Sequence, residues 1–172
     1  MAVSADRRTS RADFQFAGIE RPYRLRATMT SLTRRLMSII AILAVCGIAV
    51  SSLSLQHHYA TSKTAYCEIG ETFNCDIVNR SSYSSILGIP VALVGMLGYG
   101  AIMVIATVYR ERRETPRILF AATAAGLAFA LYLTDIEGRV LGVWCILCLS
   151  SLALIATSTV LSAWMLWKSY RT

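Results

Sequence analysis

Four uncharged apolar stretches punctuate this 172-residue chain, and their lengths constrain its fold more than any motif does. Leu36 to Leu55 carries no charged residue over 20 positions, Gly88 to Tyr109 over 22, Ile118 to Thr134 over 17, and Val140 to Trp167 over 28. A hydrocarbon core of roughly 30 Å takes about 20 helical residues to cross. The chain therefore reads as an all-α integral membrane protein, a four-helix bundle with spans at about 36–55, 88–109, 118–134 and 140–167. A composition of 55% hydrophobic and 16% charged residues is too apolar for a soluble globule of this size. The first stretch is not read as a cleaved signal, because 35 residues precede it and it exceeds the usual apolar region of about 7–15 residues.

The net charge of +7 does not point to nucleic acid, because the basic residues flank the apolar runs instead of forming a surface. Their distribution is a topology signal. Arg7, Arg8, Arg11, Arg21, Arg24, Arg26, Arg34 and Arg35 precede the first span. Arg110, Arg112, Arg113 and Arg117 join the second to the third, and Lys168 and Arg171 follow the fourth. Those fourteen fall on one side, against Lys63, Arg80 and Arg139 on the other. Both termini are expected in the cytoplasm of a multi-pass inner or plasma membrane protein, with the 56–87 loop on the periplasmic or extracytoplasmic side.

Residues 1–33 read as a flexible basic cytoplasmic tail, 34–168 as the transmembrane domain and 169–172 as a short cytoplasmic tail. The external loop 56–87 is long for a helix connection and forms a cap. In it Asp76 is expected to cap a short helix through Ile77, Val78, Tyr83 and Leu87, with Ser82 helping to hold the loop. Gly47, Gly95, Gly98, Gly100 and Gly126 inside the spans suggest close helix approach. His57 and His58 read as interfacial, Trp144 as an interfacial anchor and Glu137 as solvated.

The topology sorts the five cysteines. Cys67 and Cys75 lie in the external loop as Cys-Glu-Ile-Gly-Glu-Thr-Phe-Asn-Cys, and Cys145 and Cys148 lie as Cys-Ile-Leu-Cys near the external end of the fourth span. Cys46, midway through the first span, reads as a small buried hydrophobe. Residues i and i+3 share a helix face, and a sulfur near free N-terminal amides is favoured as thiolate. Outside the cytoplasm disulfides form and persist, and a pair at membrane depth is within reach of a lipid-soluble oxidant. A loop pair can carry a disulfide to a water-soluble partner by thiolate exchange. Two alternatives remain at this point: a non-enzymatic scaffold whose disulfides only staple loops, and a four-cysteine zinc site, which the seven-residue gap makes unusual.

These residues resemble the vitamin K epoxide reductase (VKOR) family, in particular its bacterial quinone-coupled members, over roughly residues 36–167. The resemblance rests on Cys67 to Tyr99, above all Cys75-Asp76-Ile77-Val78, Ser81 to Tyr83 and Gly88-Ile89-Pro90-Val91, with Tyr132-Leu133 and Cys145-Ile146-Leu147-Cys148. In the functionally analogous DsbB family the C-x-x-C precedes the wider pair; here the order is reversed. The resemblance implies that Cys67, Cys75, Cys145 and Cys148 are catalytic, with Cys67 facing the partner, Cys145 exchanging with Cys75, and Cys148 nearest the quinone. It implies a quinone, ubiquinone or menaquinone, and a thioredoxin-fold (DsbA-like) protein supplying electrons. Many bacterial members carry a fused thioredoxin-like domain; this sequence does not, so the partner is expected to be a separate chain. In vertebrate members an Asn on the second helix and a Tyr after the C-x-x-C bind the vitamin K ring. Val91 and Leu152 stand at those places, which makes vitamin K epoxide the lesser expectation.

Overall fold

The computed structural model describes residues 9–59, 68–69, 73–110, 112 and 114–171, and of 9–30, 68 and 69 the backbone alone. The chain divides into two compact units, residues 1–35 and 36–172. The first unit contributes the beginning of helix α1 (Thr9–Tyr59). Residues 9–33 are therefore helical where the sequence suggests a flexible arm; their Ala, Arg, Leu, Met and Glu residues are good helix formers and outweigh Gly18 and Pro22.

In the second unit α1 leads to an antiparallel pair, β1 (Glu68–Ile69) and β2 (Phe73–Asn74), with Glu68 opposite Asn74. Next come helix α2 (Cys75–Arg80), a 3-10 turn at Ser82–Ser84 and a hairpin of β3 (Ser85–Ile86) and β4 (Ile89–Pro90). Helices α3 (Val91–Thr107), α4 (Thr115–Ile136) and α5 (Ile146–Tyr170) follow, with a π-helical turn at Glu137–Leu141 extending α4.

Three helical segments, Ser31–Tyr59, Thr115–Leu141 and Ile146–Tyr170, are long and apolar enough to cross a membrane. The fourth expected span, α3, has 17 residues, or about 25 Å of helix, at the short limit for crossing. It starts at Val91 rather than Gly88 because Leu87 and Gly88, at φ of 54° and 81°, turn the hairpin instead. Pro90, lacking an N–H, then precedes the first turn. The fourth span starts at Ile146 rather than Val140, because residues 137–141 belong to the π turn and Gly142, at φ 65°, ends it. The expected cap helix through Leu87 stops at Arg80. Ser81 and Ser84 divert the backbone there, their hydroxyls donating to Val78 O (2.8 Å) and Ser81 O (2.7 Å). Ser82 is exposed and does not play that part.

All four apolar helices contribute to one core: Met37, Ile40 and Ala44 from α1, Tyr99, Ile102 and Ala106 from α3, Leu119 from α4, and Ile155 and Met165 from α5. Hydrogen bonds join helices inside it, as from Thr159 Oγ1 to Thr123 O (3.1 Å) and between Thr123 and Ser162 hydroxyls (2.9 Å). Large apolar side chains such as Ile42, Leu97, Val160 and Trp164 point outward, as lipid-facing residues do. Gly47 permits the closest approach: a Cβ there would sit 2.4 Å from the Tyr99 ring. Gly98 and Gly100 meet nothing within 4 Å, so the expected packing role fails for them. Cys46 is exposed, not buried, because the buried side of this turn is taken by Ala44 and Gly47.

Candidate functional site

Two short bonds bring the loop to the head of α5. Asn74 N–H donates to Trp144 O (3.1 Å), and Phe73 bridges to Trp144 in parallel register. The residues that follow, Cys75 and Cys145, are consequently in one buried cluster with Val78, and neither exposes any surface. Cys75 is disulfide-bonded; Cys46, Cys145 and Cys148 are free thiols. Cys67 lies outside the described residues.

Helix α2 forms the lid over this cluster. Its N-cap is Asn74, whose Oδ1 accepts from Ile77 N–H (3.0 Å). Asp76 is not the cap, contrary to the sequence expectation, since it falls inside the first turn. Its carboxylate accepts instead from His57 Nδ1 (3.3 Å), and His57 is buried at 2% exposure rather than interfacial. Asn79, one turn after Cys75, is the hub of the lid. Its Nδ2 donates to Cys75 O (3.0 Å) and approaches Cys145 Sγ (3.9 Å), while its Oδ1 accepts from Ser54 Oγ (2.6 Å). His58 Nδ1 donates to Asn79 O (2.6 Å). Three contacts from the end of α1, made by Ser54, His57 and His58, thus hold one six-residue helix that is too short to persist alone.

Cys145 is the N-cap of α5, and its Sγ accepts from Cys148 N–H (3.4 Å). Hydrogen bonding from the Cys148 side chain, then from backbone amides of the first turn, holds the Cys145 thiol below the ordinary cysteine range against opposing burial. The thiolate, the nucleophile of exchange, is favoured at the sulfur packed beside the Cys75 disulfide.

Cys148 faces the other way. It lines a cavity of about 410 Å³ among α1, α3, α4 and α5, roofed by Val78, Asn79, Ser81 and Tyr83. The walls are mostly aliphatic and small, Val91, Gly95, Gly98, Ala122, Ala125 and Leu133 among them, and Gly98 keeps its space open. One turn below Cys148, Ser151 accepts the Tyr99 hydroxyl at its carbonyl (2.8 Å) and meets it at Oγ (2.9 Å). An apolar, largely preformed chamber with few polar groups is the usual form of a site for a flat, lipid-soluble molecule. Its size and the sulfur in its wall fit a quinone ring.

Glu137 also lines the chamber, at 2% exposure, its Oε2 accepting from Cys145 N–H (3.1 Å). The expectation of a solvated Glu137 is thus overturned: the π turn rotates it inward while Arg139 pairs outward with Asp135. Trp144 is half-buried, its ring against Gly138. Glu137 was expected only as a solvated residue, and Asn79 and the Tyr99–Ser151 pair were not singled out from the sequence. For Asn79 a signal existed, since a residue four after Cys75 shares its helix face.

A family model described as the Vitamin K epoxide reductase family, VKOR, matches residues 38–163, well over half of the chain and including all four clustered or loop cysteines.

Proposed function

Because the chain belongs to the vitamin K epoxide reductase family, and so is a multi-pass membrane oxidoreductase of the quinone/epoxide reductase kind, we propose that it makes protein disulfides at the expense of a respiratory quinone. One observation carries this reading: Cys145 is packed against the Cys75 disulfide while Cys148, three residues on, opens into the apolar chamber. A sulfur pair with one member on each side couples aqueous exchange to a lipid-soluble oxidant.

In this mechanism Cys67 is the partner of Cys75, which the free state of the three other described cysteines supports. A thiolate of a separate thioredoxin-fold protein attacks Cys67, and its second thiol resolves the mixed disulfide, leaving the partner oxidised and Cys67 and Cys75 reduced. Cys75 next attacks the Cys145–Cys148 disulfide at Cys145, and Cys67 resolves that bond, returning the dithiol to α5. A quinone, bound, supplies a two-electron, two-proton acceptor. Tyr99 and Ser151 orient polar groups in the chamber, and the Asn79 lid excludes water above it. The lopsided placement of basic residues supports cytoplasmic termini and cysteines on the extracytoplasmic side.

Vitamin K epoxide is disfavoured as substrate by the aliphatic Val91 in the chamber wall, which offers no side-chain hydrogen bond. The test supplies purified protein with a reduced thioredoxin-fold protein and a short-tailed ubiquinone or menaquinone analogue. Quinol should form with one partner disulfide per quinol, and Cys148→Ala should abolish it. No quinol with either analogue would end this reading.

A further inference from the structure

Glu137 is a buried carboxylate to which no Lys, Arg or His among the described residues forms a salt bridge. Removing such a group from water without a cation costs several kcal/mol, so its retention calls for a use. Three independent features place it for one. It sits on a π-helical turn, a rare geometry that is frequent at functional sites and here aims the side chain into the bundle. Its Oε2 is anchored by the backbone N–H of Cys145, which leaves the remaining carboxylate acceptor capacity directed elsewhere. Glu137 and Cys148 both line the chamber, and each is tied to Cys145, Glu137 through the Cys145 N–H and Cys148 through its own N–H to the Cys145 sulfur. Among the described residues no other Asp or Glu lines it.

We propose that Glu137 is the catalytic base that takes the proton of the Cys148 thiol as the Cys145–Cys148 disulfide forms, and hands it to an oxygen of the quinone. This rests on the quinone reading above. The balance is complete: the dithiol loses two protons and two electrons and gains one S–S bond, and the quinone gains two electrons and two protons. The Cys148 proton travels through Glu137. The Cys145 proton is released to bulk solvent over the cycle and the second quinol proton is taken up from it, so one proton in each direction closes the count. A carboxylate lining the same chamber as the reacting thiol gives proton transfer without admitting bulk water. At the same time its bond to Cys145 N–H holds the head of α5 in register with the sulfur pair.

Glu137→Gln keeps the size and the acceptor for Cys145 N–H but cannot take a proton. With pre-reduced protein and a short-tailed benzoquinone, single-turnover quinol formation should fall about 100-fold, within the range of lost acid–base catalysis. Exchange of Cys75 with dithiothreitol should change less than about twofold, because that chemistry uses the lid side alone. A quinone-free readout accompanies it: the infrared S–H stretch of Cys148, assigned with Cys148→Ser, should move toward that of a free thiol in Glu137→Gln. Glu137→Asp and Glu137→Asn, matched in size, cover a folding defect in the Gln variant, and Asp should turn over at least about tenfold faster than Asn. Equal rates for Asp and Asn, a wild-type rate in Glu137→Gln, or an unmoved S–H band would overturn the proposal. If wild-type protein reduces no quinone while still exchanging with dithiothreitol, the parent reading falls instead, and this one with it.

Discussion

Cys145 and Cys148 are three residues apart, yet they live in different solvents. Cys145 is sealed under α2 against a disulfide, with a backbone amide and an asparagine amide aimed at its sulfur. Cys148 faces an aliphatic chamber whose wall also holds Glu137. On the lid side polar side chains do the holding: Ser54, His57 and His58 of α1 fix Asp76 and Asn79 of α2. On the chamber side the holding is by packing, and the polar groups number few. The difference teaches that the helix N-terminus is the divide. One turn of α5 carries a sulfur from a hydrogen-bonded, exchange-competent environment to one suited to a lipid-soluble acceptor.

The largest expected effect comes from removing either sulfur. Cys145→Ala and Cys148→Ala should each cut quinol formation by at least about 10³-fold, because members of one relay fail as a unit. Their trapped states should differ. Cys145→Ala should leave the Cys75 disulfide oxidised and isolated from α5, whereas Cys148→Ala should let Cys145 accumulate in a mixed disulfide with Cys75, visible by mass spectrometry. A Cys148–Cys75 mixed disulfide in Cys145→Ala would erase the distinction between the two sides.

Next in size is the lid. Asn79→Ala removes a hub that donates to Cys75 O and accepts from Ser54, at a cost of about 1–3 kcal/mol for the buried partners it orphans. Hydrogen exchange in α2 should quicken and the melting temperature fall, with exchange in α3, α4 and α5 unaffected. Uniform loosening of α3, α4 and α5 would mean that lid and chamber are one cooperative piece.

A third test reads the divide through acidity. The Cys145 thiol is lowered first of all by its hydrogen bond with the Cys148 side chain. Since the lowered group is thiolate above its midpoint, exchange with the Cys75 disulfide should persist to a pH below the ordinary cysteine midpoint of about 8.5 and fade as pH drops through the shifted one. Cys148→Ala should move that midpoint upward. A midpoint unchanged by the substitution would assign the effect to the backbone amides alone.

The long-range plan of this chain was legible because membrane spans are written in residue counts and the sulfur spacing survives in one dimension. What failed to show were features made by local geometry. Leu87-Gly88 looked like the start of a span, and only the positive φ of both residues makes it a hairpin tip. Asp76 looked like a cap, but Asn74, tied to Trp144, holds that place. Glu137 lies in the polar run Asp135-Ile136-Glu137-Gly138-Arg139, which reads as solvated; one extra residue in the turn sends Glu137 inward and leaves Asp135 and Arg139 outside. His57 beside His58 gave no hint that one of two adjacent imidazoles would be buried on a carboxylate.

The smallest expected effect is at the fifth cysteine, and it bounds the others. Cys46 is a free, exposed thiol on α1 between Val45, also exposed, and Gly47, which is buried against Tyr99. Its side chain faces lipid and touches neither the lid nor the chamber lining. Cys46→Ala should therefore leave quinol formation and partner oxidation within about twofold and stability within about 0.5 kcal/mol, as for substitutions away from packed or bonded features. Gly47→Ala, one residue on, should cost about 1–3 kcal/mol by driving a methyl into the Tyr99 ring. If the Cys46 variant proved the more damaging of these neighbours, the face of α1 assigned to lipid would have to be exchanged with the face assigned to the core.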